Sequence, residues 1–114
     1  MKIIVCIKQV PDTSVPLDIE QDGQKIVEDG LVYIVNPEDL CAVETAVRLK
    51  ESLGGEITVL TLGPPRAEEA LRSCLALGAD RAVLLQDGAF RGGDPFVTAT
   101  ALAAVIEKIN SELI

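Results

Sequence analysis

The sequence predicts an α/β domain: a doubly wound parallel sheet with helices on both faces, in three layers. Three observations carry this reading. Three short apolar runs read as strands: 3–7 (IIVCI), β-branched and fit for a central strand buried on both faces, 56–62 (EITVLTL), a second buried strand, and 81–86 (RAVLLQ), an edge strand. Helical patterns at 37–53, 66–77 and 95–109 alternate with them. The resulting order β-α-β-α-β-α calls for parallel pairing through right-handed crossovers. At 114 residues the chain fits a single domain, residues 1–114.

The first run sits in MKIIVCIKQV, where lysines bracket five apolar residues. That is too short for a signal h-region or a membrane span, so it reads as a strand. KQVPDTSVP then breaks regularity with two prolines. Residues 16–35 carry the turn signals Asp22-Gly23 and Asp29-Gly30, with short extended pieces expected around Leu17 to Glu20 and Lys25 to Val27. The first helix has a well-marked start. Asn36 can cap it, Pro37 suits the first helical position, and Glu38 and Asp39 favour the positive end of the dipole. Leu40, Val43 and Val47 recur at helical spacing, and Gly54-Gly55 stops the helix.

After the second strand, Gly63-Pro64-Pro65 forms the exit turn. The next helix should bury Ala67, Ala70, Leu71, Cys74 and Leu75 and end at Gly78. The third strand leads through DGAFRGG to Asp94-Pro95, a second cap-and-proline start. The last helix is apolar nearly all round, so it is expected to be covered on more than one side. The closing residues NSELI read as a fourth strand that has barely begun, beside the first. The chain is therefore expected to be truncated before or within strand 4. An open edge on strand 1 would then invite self-association.

Composition narrows the chemistry. With 48% hydrophobic and 3% aromatic residues, the core must be Ile, Val, Leu and Ala. A net charge of -8 argues against nucleic-acid binding. It leaves a nucleotide ligand open, because helix N-termini hold phosphates through backbone N–H groups. Cys6, Cys41 and Cys74 are far apart and there is no His, which disfavours a zinc site and a Ser-His-Asp triad. An odd number of cysteines fits a reducing, cytoplasmic setting. FRGGDP, 90–95, lacks the Gly-Lys-Ser/Thr ending of a Walker A loop and reads as a loop with an Asp cap. No constellation supports bond-making catalysis, so the chain is not read as an enzyme. In open α/β sheets ligands lie beyond the strands' C-terminal ends, where strand order reverses. Cys6, Ile7, Lys8, Leu62, Gly63 and the joint at Asn36 all lead there. Two readings stand at this point: a nucleotide pocket, or sheet-end packing with a helix cap.

KIIVCIKQVPDT, VNPEDLCAVETAVRLKE and VLTLGPPRAEEALRSCLALGADRAVLL, in this order, resemble the N-terminal part of the electron transfer flavoprotein β subunit and its FixA-type relatives. The resemblance runs from residue 1 to about 109. It implies an adenine-nucleotide α-hydrolase-like (Rossmann-like) fold with strand order 3-2-1-4-5. It also implies a heterodimer with an α subunit that holds FAD, while the β subunit binds AMP, or a second FAD in electron-bifurcating members. The pair passes electrons from dehydrogenases to an acceptor. By position, Cys6 matches a small residue lining the AMP site. Asn36 matches the family's Asn there, with Pro37, Glu38 and Asp39 following, and Leu62 lies near the adenine. Thr13 falls in a loop that the family turns toward the flavin. Glu38 departs from the family, where many members carry a less charged residue. The family's main phosphate loop follows strand 4 and would fall beyond Ile114, so this chain alone is expected to bind AMP or FAD weakly or not at all. A universal-stress-type nucleotide module would need a Gly-rich loop after strand 4. An adenylating ligase would need a Ser-Gly-Gly-type loop after strand 1. A purely structural dimer through the open edge is the remaining alternative.

Overall fold

The computed structural model describes residues 1–12, 31–86 and 95–114. The proposed extended pieces and Asp-Gly turns within 17–30, Thr13, and residues 90–94 of FRGGDP lie outside them. The described elements are β1 (Lys2–Cys6), β2 (Gln9–Pro11), β3 (Tyr33–Val35), α1 (Pro37–Leu53), β4 (Glu56–Leu62), a 3-10 turn (Pro65–Ala67), α2 (Glu68–Leu77), β5 (Arg81–Leu85) and α3 (Pro95–Ile109).

The main sheet runs β1-β4-β5, with both pairs parallel. In chain order that is first, second and third strand, so the 3-2-1 half of the expected order is present. Leu113 makes a parallel bridge to Ile3 on the other side of β1. Ile4 N–H donates to Leu113 O at 2.9 Å, and Glu112 N–H donates to Lys2 O at 2.9 Å. The closing residues thus stand where strand 4 was expected to start.

Alternation along the strands sets the layers. Ile3, Val5, Ile7, Ile57 and Val59 join Val43 and Ala46 of α1 and Ala70, Leu71 and Cys74 of α2 in one core. Ile4, Thr58 and Leu60 are buried too and point to the opposite face, where α3 packs across β4. β1 and β4 are covered on both faces, which is why their runs are mostly apolar without strict alternation. Thr61 is tolerated in this setting because its hydroxyl donates to Ile7 O at 2.7 Å.

Three details differ from expectation. The segments 9–11 and 33–35 form a two-stranded antiparallel ribbon, where a loop and an apolar lead-in were expected. Its strands are three residues each and far apart in sequence, so no hairpin turn announces it. Leu75 is 38% exposed, because α2 buries only the Ala70, Leu71 and Cys74 stripe. No residue of α3 is fully buried. Thr98, Ala101, Leu102, Val105, Ile106 and Ile109 form a half-buried stripe at helical spacing, and Phe96 on another side is 77% exposed. Among the described residues α3 packs against one sheet face, where cover on more than one side was expected.

Candidate functional site at the strand tips

The predicted residues gather where β1 and β4 end and α1 begins. Asn36 stands at the N-cap position of α1 with an extended ψ of 125, and Pro37 follows it at the helix start. The cap works differently from the expectation. Asn36 makes no side-chain cap hydrogen bond. Its backbone oxygen instead accepts from Asp39 N–H at 2.9 Å and Leu40 N–H at 3.1 Å. Asn36 N–H donates to Lys8 O at 2.9 Å, which carries the ribbon's ladder onto the helix. The half-buried side-chain amide of Asn36 is thus left out of the capping scheme.

Asp39, in the first turn, points back to the sheet: its Oδ2 accepts from Lys8 N–H at 2.9 Å. Pro37 and Glu38 are exposed, Asp39 is half-buried, and Lys8 is exposed. Cys6, half-buried at the end of β1, lines an apolar groove of about 490 Å³ between the outer edge of β1 and α1. Ala42, Thr45, Ala46 and Leu49 form the α1 wall, with Leu113 and Ile114 at the far end. Burial pushes the Cys6 thiol above its ordinary range, and the nearby Asp39 carboxylate adds to that. Leu62 ends β4, two residues past Leu60, the partner of Cys6.

Not all of these residues share one cavity. Pro37 opens on the other side of the joint, into a groove of about 570 Å³ between the ribbon and α2 that Gln9, Tyr33, Leu40 and Ser73 also line. The structure therefore brings Cys6, Asn36 and Asp39 together through Lys8, while Pro37 and Leu62 flank them.

Sequence reasoning passed over three residues at this end. The Arg66 guanidinium lies 4.0 Å from the Tyr33 ring centroid, a cation–π contact. Gln9 Nε2 donates to Arg66 O at 3.3 Å, and Gln9 Oε1 is buried without a partner. These contacts pin the turn after β4 onto the ribbon. They join residues 33 and 57 positions apart, so no local pattern could have announced them.

Among the described residues no cluster of His, Cys, Asp and Glu could hold a metal ion, and no helix is long and apolar enough to cross a membrane. For an adenine nucleotide the donor set fits in part. Asn36 offers a carbonyl and an amide to a neutral base or ribose, and Cys6 and Leu62 offer apolar contact. Glu38 and Asp39 already satisfy the dipole of α1, and their charge opposes a phosphate at that helix start.

A β1-β4-β5 parallel sheet between α1 and α2 on one face and α3 on the other defines a Rossmann-like α/β protein. Residues 24–114 match the electron transfer flavoprotein domain, and the chain belongs to that family. It is 49% identical to Protein FixA of Azotobacter vinelandii over 99% of this chain and 40% of that protein. It is 46% identical to the electron transfer flavoprotein subunit beta of Thermoanaerobacterium thermosaccharolyticum, over 100% of this chain and 44% of that one. It is 47% identical to the caffeyl-CoA reductase-Etf complex subunit CarD of Acetobacterium woodii, over 96% of this chain and 42% of that protein. The chain thus spans less than half the length of these relatives.

Proposed function

We propose that this chain is the N-terminal, nucleotide-binding part of an electron transfer flavoprotein β subunit, acting as an electron carrier beside an α subunit. The observation that carries this is the family match over residues 24–114, and the likeness to relatives named as flavoprotein subunit beta and FixA agrees with it. In this reading AMP, or FAD in its place, lies across the tips of β1 and β4. Asn36 holds the base or ribose by its free amide. Cys6 and Leu62 supply the apolar bed, and Pro37, Glu38 and Asp39 shape the rim. FAD, when bound in the whole protein, supplies the redox chemistry. This chain's residues bind and orient the nucleotide, and dehydrogenases deliver electrons to the heterodimer.

The acidic rim predicts weak binding to the chain alone. In an amide-resolved NMR titration, AMP at millimolar concentration should move the Asn36 side-chain amide and the Cys6 backbone resonance. Isothermal titration should show no micromolar binding. Saturation at micromolar AMP would overturn the weak-binding part. Resonances of Asn36 and Cys6 that stay fixed at every AMP concentration would overturn the site.

A further inference from the structure

This inference rests on the nucleotide reading above and concerns what holds its site in shape. In β1 the odd-numbered amides face β4, as Ile7 N–H donating to Leu60 O at 2.9 Å shows. The even-numbered amides therefore face the outer edge, away from β4. On that edge Ile4 N–H goes to Leu113 O at 2.9 Å, and Lys8 N–H goes to Asp39 Oδ2 at 2.9 Å. Cys6 lies between these two closures. Lys8 is gripped from its other side as well, because its carbonyl accepts from Asn36 N–H at 2.9 Å. Asp39 N–H returns to Asn36 O at 2.9 Å. Strand tip, cap residue and carboxylate thus form one closed circuit of hydrogen bonds.

We propose that Asp39 is a positioning residue and not a nucleotide contact: its carboxylate latches the Lys8 amide and so fixes the Asn36 amide relative to Cys6 at the tip of β1. An acid in a helix's first turn ordinarily acts on its own helix terminus. Here one carboxylate oxygen is committed to a different element. A carboxylate–N–H bond is among the stronger hydrogen bonds, and the rim's other acid, Glu38, is exposed and makes no such bond among the described residues.

Asp39→Ala and Asp39→Asn in this chain separate the roles. Asp39→Ala should speed exchange of the Lys8 amide, relative to that of Val59 in the core of β4, by about 10- to 100-fold, the range expected for losing a hydrogen bond to a charged group. It should also diminish the AMP-induced shift of the Asn36 side-chain amide. Asp39→Asn keeps an acceptor oxygen in place and should restore most of both, a rescue that simple loss of a rim charge would not give. Three results would overturn the latch: unchanged Lys8 exchange in Asp39→Ala, an AMP response equal to wild type in that variant, or Asp39→Asn behaving like Asp39→Ala. If Asp39→Ala does not fold, Lys8 exchange in Asp39→Asn decides: within a fewfold of wild type supports the latch, and equal to free-amide exchange overturns it. If wild type shows no response to AMP, the nucleotide reading falls, while Lys8 exchange still decides the latch.

Discussion

Three thiols in one small chain sit in three environments, and each should react accordingly. Cys41 is exposed on α1, Cys6 is half-buried at the strand tip, and Cys74 is 0% exposed beneath α2. The thiolate is the reactive form, and burial together with the Asp39 carboxylate pushes both Cys6 and Cys74 above 9.0. Iodoacetamide at neutral pH should therefore modify Cys41 first, Cys6 slowly and Cys74 only on unfolding. Peptide mapping that finds Cys6 labelled as fast as Cys41 would contradict its placement. The same two shifts give a pH dependence. A folded-state value above the unfolded one means the native state holds its proton longer. Stability is then intact below about 9 and falls as pH rises from there through the folded-state values. Chemical denaturation at pH 8 and pH 10 should show this loss, and a Cys6→Ala, Cys74→Ala variant should lose less over the same interval.

Among the elements, the corner between α2 and β5 mirrors the latch at the other end of the sheet. Asp80 N–H donates to Ile57 O at 2.9 Å, and Asp80 Oδ2 accepts from Ile57 N–H at 2.8 Å. Its Oδ1 meets Lys50 Nζ, near the end of α1, at 2.7 Å. These partners hold the Asp80 carboxyl below its ordinary range, the Lys50 bond contributing most. Stability from this group is therefore present above the unfolded value near 3.8 and lost as pH falls through the folded one. Asp80→Ala should cost about 1–2 kcal/mol at neutral pH, discounted because the site is partly solvated, and the difference from wild type should shrink on acidification. A difference that is the same at pH 3 and pH 7 would contradict the assignment. Gly55 guards the neighbouring turn at φ 134, where a Cβ would run into the Met1 backbone. Met1 O is tied to Glu56 N–H at 2.9 Å and has little room to move, so Gly55→Ala should cost about 2–4 kcal/mol in a melt. The glycine stop, the strands at 56–62 and 81–85 and the helix at 37–53 were all legible, because each is fixed by its own apolar spacing and punctuation. The ribbon was not, since Gln9–Pro11 and Tyr33–Val35 become strands only by finding each other. The site was half legible. Cap chemistry drew attention to Asn36 and Asp39, but which of the two would turn its side chain to the sheet depends on Lys8, from another element.

At the scale of the whole molecule, two opposed terms set how copies of this chain treat one another. The groove beside β1 is apolar and carries a strand edge with one bridge on it, at Leu113, among the described residues. The outer side of α3 shows Phe96, and Leu113 and Ile114 are exposed as well. Surfaces of this kind associate unless something keeps them apart. The net charge of -8 does that at low salt, because like-charged copies repel over a Debye length of about 30 Å at about 0.01 M ionic strength. At about 0.15 M that length falls to about 8 Å, comparable to a contact distance, and repulsion no longer reaches past the surfaces. Sedimentation velocity should accordingly show a monomer at low salt and a concentration-dependent rise in mass at physiological salt. Ala42→Glu places a charge on the exposed α1 wall of the groove without touching the core. It should suppress the rise if the β1 edge is the contact, whereas Phe96→Ser should suppress it if α3 is. A monomer at every salt and concentration would mean that the half-closed edge, already occupied by Leu113 at one end and Asp39 at the other, presents too short a ladder for a second chain to join.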